Sequence, residues 1–508
     1  MQNRIVKLVA LIFCALVGMI AWDAIGQAQK SEVTFSPSIP KTWDDEALAS
    51  LEVPLTDPSR SPVHVSSEFY YRIPVMKIYK SYPIYAPDKE PPGYLEWLKQ
   101  QEPQEITPDF AKLKTEADWI KAGEIVFDAP TQAVAGAETM RDPLMWKETR
   151  PPVAADGTKV GSRYTISKRG EIRVGLAGCI FCHARVLPDG TVIRGAQGNV
   201  PNARVNTYGL RKRLATAQDQ RSLLGEGLRM PNESMPWLKP DPQERLNQMT
   251  LEEIVAARAA VPPGVSLRQH TSTLYPPQIS DLIGLKERRY FDHTGLVRHR
   301  TIADLMRYAA LVQGMERFSR FGDFTLVGSL PDPATLQRYS DEMLYALALY
   351  LYSLKPPPNP NKFNTLAERG QKVFAREGCA ACHTPPLYTN NKLTPVDGFT
   401  PPKEHFEQFS ILPLSVGTDT NLALRSRKGT GYYKVPSLRG VWYRGPFEHN
   451  GSVATLEDWF DPRRLRDDYV PTGFRGAGVK TRAVKGHPFG LDLSVEDRQA
   501  LIAFLKTL

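Results

Sequence analysis

Two cysteines three positions apart, followed at once by a histidine, occur twice in this chain, as Cys179, Cys182 and His183 and as Cys379, Cys382 and His383. Two thiols on one helical turn can bond the two vinyl groups of one porphyrin, and the adjacent imidazole can then bind its iron. A redox dithiol or half of a zinc site would need further thiols or a thioredoxin-like context, and the sequence offers neither. The pattern therefore predicts two covalently bound c-type haems, with the two histidines as proximal iron ligands.

The remaining composition limits the other chemistry that this chain can perform. Only Cys14 lies outside the two motifs, so no thiol is left for a disulfide framework or a catalytic cysteine. A chain of 508 residues is too long for one ordinary core, which predicts two or more folded units. The net charge of +9 is interpreted as solubility rather than as a docking surface for an acidic redox partner. No basic block or nucleic-acid motif occurs, so we predict no nucleic-acid partner.

The first 28 residues have the pattern of a secretory signal. Arg4 and Lys7 form a charged start, an apolar run covers 8–22, and 26–28 is a small-x-small cleavage site. This predicts a periplasmic or secreted protein, in agreement with the haem motifs, because bacteria complete covalent haem attachment outside the cytoplasm. The alternative is an uncleaved anchor, and only that alternative would give the protein contact with a membrane.

An internal repeat predicts the architecture. Residues 121–127 match 368–374, each with a glycine in a helical pattern, and 340–354 align without gaps with 494–508. The two later segments begin with a serine suited to N-capping, and Ser494 with Asp497 predicts a capping box. We interpret the four segments as the opening and closing helices of two cytochrome c-type domains.

The predicted fold is mainly α, with two haem domains, long loop insertions and an irregular N-terminal extension. The domains are predicted at 109–357 and 362–508, after a signal at 1–28 and an extension at 29–108 that could supply a strand. A proline-rich spacer at 355–361 separates them. A Gly- and Arg-rich run before Cys179 predicts a hairpin in the first domain.

The sixth ligand of each iron decides between electron transfer and chemistry with a small oxidant. No methionine follows Met343, so the second haem cannot be a simple His/Met electron carrier. The candidates in its own domain are three histidines and the tyrosines, namely His405, His449, His487 and especially Tyr469.

The first domain offers more candidates for its distal side. They are five methionines and three histidines: Met230, Met235, Met249, Met306, Met315, His270, His293 and His299. Residues 289–300 form the densest polar and aromatic run of this region. From that run we predict Tyr290 and His293 as distal-pocket residues beside a reactive haem on His183.

The run at 435–459, together with the paired motifs, resembles the bacterial di-haem cytochrome c peroxidases, whose signature reads PSLR, a proline, then H-[DN]-G-S-x-A-T-L-E. Within that superfamily, 428–444 and 486–494 are most similar to the rubber oxygenase branch. The resemblance implies an N-terminal haem with an exposed or oxygen-binding distal face. It also implies a C-terminal haem closed by two histidines, with His487 as the leading sixth ligand and His449 as the second candidate.

Two features depart from the peroxidase pattern. No methionine follows the H-[DN]-G run, and no motif marks a distal Gln/Glu pair. We therefore expect an exported di-haem oxidoreductase, peroxidase-like or oxygenase-like, in which the N-terminal haem reacts and the C-terminal haem relays electrons. Its partners would be a redox protein or a small oxidant, either peroxide or dioxygen. The alternative is a non-catalytic electron-transfer protein. No motif supports calcium as a further cofactor.

The first prediction concerns haem content. A pyridine haemochrome assay on the purified protein should return two c-type haems per chain, because two complete motifs use four cysteines. Replacing Cys379 and Cys382 by serine should leave one haem. A single haem in the parent protein would contradict the assignment of both motifs as attachment sites.

Overall fold

A computed structural model describes residues 35–216, 233–267 and 271–508. Within these ranges helix accounts for 36% and strand for 12%, which confirms a mainly α fold. The signal segment with Cys14, and the candidate ligands Met230 and His270, lie outside the described residues. No described helix combines the length and apolar character that a membrane crossing needs.

Most of the helices are short, and we number them in chain order. They are α1 Asp45–Ala49, α2 Ser67–Arg72, α3 Tyr94–Lys99, α4 Glu116–Asp128, α5 Ala137–Arg141, α6 Pro143–Thr149, α7 Cys179–Cys182, α8 Asn202–Thr216, α9 Pro242–Gln248, α10 Leu251–Ala259, α11 Ile302–Val312, α12 Asp341–Ser353, α13 Thr365–Arg376, α14 Lys403–Gln408, α15 Asn421–Leu424, α16 Leu456–Trp459 and α17 Val495–Lys506.

The strands are also short, and they form small antiparallel sheets. They are β1 Pro62–Val63, β2 Ser81–Tyr82, β3 Gln132–Val134, β4 Arg163–Lys168, β5 Glu171–Leu176, β6 Ala184–Val186, β7 Val192–Arg194, β8 Tyr290–Phe291, β9 Val297–Arg298, β10 Arg320–Phe321, β11 Phe324–Thr325, β12 Leu393–Pro395 and β13 Tyr432–Lys434.

The sequence repeat corresponds to a repeat in helix packing. Helix α4 packs on α12, and α13 packs on α17. A Cβ atom on Gly123 would overlap the carbonyl oxygen of Ala346, and one on Gly370 would overlap that of Ala500. These contacts are equivalent under the alignment, so the same requirement for close backbone approach explains both glycines. That each helix pair belongs to a haem domain stays a prediction.

The predicted caps are present in part. Ser340 and Ser494 each accept a hydrogen bond from the third residue of the following helix, at 3.1 Å. The capping box at Ser494 was wrong in its second half. The Asp497 carboxylate instead accepts hydrogen bonds from Arg369 at 2.6 Å and Arg376 at 2.8 Å, because guanidinium donors bind a carboxylate more strongly than a backbone N–H does. The carboxylate thereby joins α17 to α13.

We name the parts of the chain by their position relative to the proline-rich spacer: the first unit is residues 35–354 and the second is 362–508. The N-terminal extension packs with the rest of the first unit. Its Trp43, Leu51 and Tyr70 are buried in the same core as helices α4 and α12. Strand β2 of the extension pairs with β4, within a sheet of order β2-β4-β5-β3. Strands β4 and β5 form the hairpin that the Gly- and Arg-rich run predicts. The proline-rich spacer contains neither helix nor strand, as predicted.

The run that resembles the peroxidase signature lies at the boundary between the two units. The Gln197 amide donates to the Pro446 carbonyl at 2.9 Å and accepts from the Gly445 N–H at 3.1 Å. The Gln278 amide also donates to the Pro446 carbonyl, at 3.0 Å, and the Gln278 backbone N–H donates to the carbonyl of His449 at 2.7 Å. The signature run therefore binds the first unit through its backbone.

The second prediction tests the repeated glycine contact. Gly370→Ala should lower the free energy of unfolding by about 1–3 kcal/mol, because the new methyl group cannot fit against α17. Gly209→Ala is the matched control: Gly209 is also helical, and a Cβ atom there meets nothing within 4 Å. The control should be neutral or up to about 1 kcal/mol more stable. Urea unfolding measures both, and equal stability of the two variants would refute the packing argument.

Candidate functional site

A cavity of about 490 Å³ lies beside the second motif. Cys379, Cys382 and His383 line it, together with apolar side chains of α13, α16, α17 and the loops between them. Arg288, Lys434 and Arg444 also line it. An apolar cavity that also carries cations suits a porphyrin, which is an apolar ring with carboxylates on one edge.

The three cations of this lining lie close enough to repel one another. Burial, together with Arg288 and Arg444, lowers the pKa of Lys434 to about 7, although Asp292 opposes the shift. A group of half-buried cations of this kind is stabilised by an anion, since a charge removed from water without a partner is costly. The carboxylates of a bound haem would supply that anion.

Each motif histidine is held through its Nδ1 atom. The His183 Nδ1 lies 2.9 Å from the Ser280 carbonyl oxygen. The His383 Nδ1 lies 3.2 Å from both the Tyr388 and the Pro436 carbonyl oxygens. A neutral imidazole that donates from Nδ1 keeps Nε2 as the electron-pair donor, which is the usual arrangement of a metal-binding histidine.

A second imidazole faces His383. The ring centres of His383 and His487 are 6.3 Å apart. Two metal–nitrogen bonds of about 2 Å, with each ring centre roughly 1 Å beyond its nitrogen, give about 6 Å. The His487 Nδ1 is buried and has no hydrogen-bond partner among the described residues. Burial, and then His383 and Arg464, lower its pKa to about 3, so the ring is neutral and its lone pair is free for an iron.

The other candidate, His449, has a different environment. Its Nδ1 lies 2.5 Å from the Glu448 carboxylate and its Nε2 lies 3.5 Å from that of Asp419. Burial alone would lower its pKa, but the two carboxylates raise it to about 9. The ring also stacks on that of Tyr433, with the two ring centres 4.5 Å apart. A protonated imidazole has no lone pair for iron, so this geometry favours His487 over His449.

The remaining candidates for the second iron are less suitable. The His405 Nδ1 lies 2.8 Å from the Tyr432 hydroxyl, and its ring packs on Phe409. Neither His405 nor Tyr469 is among the described residues that line the cavity.

The motif thiols do not have the character of redox or zinc-binding cysteines. Burial raises the pKa of Cys179 to about 12 and that of Cys379 to about 11. Reactive and metal-binding thiols are thiolates with a lowered pKa. All four motif cysteines are free of disulfides, and the described chain contains no cluster of three His, Cys, Asp or Glu side chains suited to a metal ion. Half-buried thiols with a raised pKa agree better with thioether attachment to a porphyrin than with a thiolate site.

The first motif lies in the large core of its unit. Cys179 packs in the same cluster as the buried Met306 and Met315, and the Gln313 amide lies 3.6 Å from its sulfur atom. Of the other candidates, His299 uses both ring nitrogens, towards the Arg288 carbonyl at 2.6 Å and the Tyr352 hydroxyl at 2.5 Å.

The predicted distal residues Tyr290 and His293 lie elsewhere. Both line the cavity of the second motif. The His293 Nε2 is 2.7 Å from the Gln278 carbonyl oxygen and 3.4 Å from the Ser280 hydroxyl. Ser280 contacts the Nδ1 edge of His183, which faces away from any iron bound at Nε2. The geometry therefore puts His293 between the two motifs, on the proximal side of His183, and does not favour the distal role expected from the sequence.

Sequence reasoning missed three residues that organise the site. Gln197 and Gln278 join the two units, and Arg464 binds the loop that carries His487. Single glutamines carry no motif, and Arg464 lies in the charged segment 461–468, whose other two arginines, Arg463 and Arg466, are exposed. Only their tertiary contacts distinguish them.

Comparison with known proteins identifies curated relatives that match part of this chain. The chain is 26% identical over 166 residues to cytochrome-c peroxidase IdrP1 of Pseudomonas sp. (strain SCT), which covers 29% of this chain and 41% of the relative. It is 29% identical over 147 residues to the methylamine utilization protein MauG of Methylorubrum extorquens, which covers 28% of this chain and 34% of MauG. No family model matches the sequence.

The chain resembles the di-haem cytochrome c peroxidases. The matched region spans about two fifths or less of the curated relatives, so the resemblance to this superfamily is partial. Among solved structures, a MauG-like protein associated with microbial copper homeostasis gives a TM-score of 0.29 at 16% identity, covering 55% of this chain and 92% of that protein. A score this low says nothing about a shared fold. That this chain is most similar to the rubber oxygenase branch stays a prediction.

The third prediction concerns His449. Its pKa is about 9 in the folded protein against 6.5 ordinarily, so the folded state holds the proton more tightly. The stability that this proton contributes is fully present below about pH 6.5 and is lost as pH rises through about 9. The melting temperature of the parent protein should therefore fall across this window relative to that of His449→Gln.

His405→Gln is the control for this measurement. Burial lowers the pKa of His405, so its ring is neutral throughout the window and its replacement should leave the pH dependence unchanged. If the melting temperatures of the parent protein and of His449→Gln change in parallel between about pH 6.5 and about pH 9, His449 does not carry the proton.

Proposed function

We propose that this protein is an exported di-haem c-type cytochrome that acts as a haem oxidoreductase, peroxidase-like or oxygenase-like. In this proposal the N-terminal haem on His183 reacts with a small oxidant and the C-terminal haem relays electrons. The observation that carries it is the 6.3 Å separation of the His383 and His487 rings, which suits an iron closed on both sides. The cytochrome c peroxidase relatives support the same class of activity.

In this proposal the two haem sites have different roles, and different residues support each role. Haem iron supplies electron transfer when six-coordinate and peroxide or dioxygen chemistry when one position is open. His383 and His487 would keep the second iron closed, with Cys379 and Cys382 holding the porphyrin. His183 would hold the first iron, oriented by its hydrogen bond to Ser280, and Cys179 and Cys182 would bond that porphyrin.

Three cations would also help to bind the second haem. Arg288, Lys434 and Arg444 would neutralise the haem carboxylates, which also removes the repulsion among these cations. Tyr290 and His293 do not enter the proposal as distal groups, because they line the cavity of the second motif.

The setting of the activity follows from the sequence. The N-terminal signal pattern and the haem attachment chemistry support a periplasmic or secreted protein. Its partners would be a redox protein that supplies or accepts electrons, together with peroxide or dioxygen.

One observation favours the second candidate, a non-catalytic electron-transfer protein. Met306 and Met315 are buried in the core that contains Cys179, and a thioether is a common sixth ligand of c-type haem. If either sulfur atom closes the first iron, both haems are six-coordinate and neither can bind an oxidant.

The fourth prediction tests the closed second iron. His487→Ala should convert one of the low-spin haem signals in the electron paramagnetic resonance spectrum to a high-spin signal, because the iron loses one axial ligand. His449→Gln is the matched control and should leave that low-spin signal unchanged. If instead His449→Gln removes the low-spin signal and His487→Ala does not, the ligand assignment is reversed.

The fifth prediction tests the reactive first iron. In stopped-flow experiments, peroxide added to the oxidised protein, or dioxygen added to the reduced protein, should change the Soret band of the haem on His183. Met306→Leu and Met315→Leu should leave that response unaltered. If the parent protein does not respond and one methionine variant does, the electron-transfer alternative is correct.

A further inference from the structure

Arg464 is a buried cation that binds the backbone rather than an acid. Its side chain is 1% exposed. Its Nε donates to the Trp459 carbonyl at 2.8 Å, and its Nη1 donates to the carbonyls of Val484 at 2.7 Å and Gly486 at 2.9 Å. Its Nη2 donates to the carbonyl of His487 at 2.8 Å. One guanidinium group thus contacts three carbonyls of the loop that presents His487.

The same loop is constrained from its other side. The His487 N–H donates to the Val416 carbonyl at 2.6 Å. Gly486 has a φ of +87° and lies so close to Thr418 that a Cβ atom could not be accommodated. His487 itself has a φ of +46°, in the left-handed region that a residue with a side chain seldom occupies. A backbone held in this region needs surrounding contacts that maintain it.

The aromatic ring of Trp459 connects the arginine to the imidazole. The guanidinium carbon lies 5.1 Å from the Trp459 ring centre, and the His487 ring centre lies 5.4 Å from the same ring. Arg464 therefore affects His487 in two ways. It donates to the His487 backbone carbonyl, and both side chains pack on the ring of Trp459.

We propose that Arg464 is a positioning residue that fixes His487 towards His383 and so keeps the second iron closed. This proposal rests on the proposed function, in which His487 is the sixth ligand. Arginine suits the role because its planar group presents five donors in a fixed fork, whereas the donors of lysine all lie on one nitrogen atom. The neighbouring Arg463 and Arg466 have exposed side chains that pair with Asp461 and Asp468, so they do not share the role.

The test compares Arg464→Lys with the matched control Arg463→Lys in the haem-loaded full-length protein. Arg464→Lys should convert part of the low-spin signal of the second haem to high-spin, with a fraction that grows on warming. Added imidazole should restore the low-spin signal, because it occupies the position that His487 leaves. Arg463→Lys should keep the spectrum of the parent protein.

Two further variants keep the proposal falsifiable if Arg464→Lys folds poorly. Gly486→Ala disturbs the same loop from the Thr418 side and should give the same partial loss of low-spin signal. In a His487→Gly background, Arg464→Lys should leave the affinity of the iron for added imidazole unchanged, because the arginine acts through His487.

The outcomes separate this proposal from the function on which it depends. If His487→Gly leaves the second haem low-spin, His487 is not the sixth ligand, and the proposal for Arg464 fails together with the observation that carries the proposed function. If His487→Gly opens the iron but Arg464→Lys keeps the parent spectrum and only lowers the melting temperature, Arg464 is merely structural and this proposal is overturned.

Discussion

The second site depends on two imidazoles that face each other across a buried space. Leaving a buried nitrogen such as the His487 Nδ1 without a hydrogen-bond partner costs about 1–3 kcal/mol in an ordinary core. The chain adds a left-handed backbone at His487 to that cost. A structure tolerates both when another interaction compensates, and binding of an iron between His383 and His487 would provide that interaction.

The rest of the C-terminal unit supports this pair. The closing helix α17 is joined to α13 by a glycine contact and by the Asp497 carboxylate, and these helices supply apolar walls of the cavity. The run that resembles the peroxidase signature passes from these walls to the first unit, where it binds Gln197 and Gln278. Gln278 is two residues from Ser280, which holds His183. The signature run, Gln278 and Ser280 thus connect the C-terminal unit to His183.

Much of the architecture was predictable because it depends on local spacing. Glycines at equivalent places in 121–127 and 368–374 do mark close helix crossings, and serines at 340 and 494 do cap helices. These features follow from helical periodicity and from chemistry within a few residues. The capping box failed because Asp497 met two arginines of another helix, and no local pattern reports such a competitor.

The sequence by itself predicts covalent haem attachment and offers the second iron no methionine from the C-terminal half of the chain, since both inferences depend only on which residues occur and how they are spaced. The family resemblance ranks His487 before His449, and the tertiary structure supplies the physical distinction between them. Both histidines lie in loops of the C-terminal half, yet one faces His383 and the other is held between Glu448 and Asp419. The structure also places His293 beside Gln278 and Ser280, a neighbourhood that its sequence does not indicate. A histidine acts as ligand, cation or hydrogen-bond donor according to the groups that folding brings to its two nitrogens, and those groups come from distant segments.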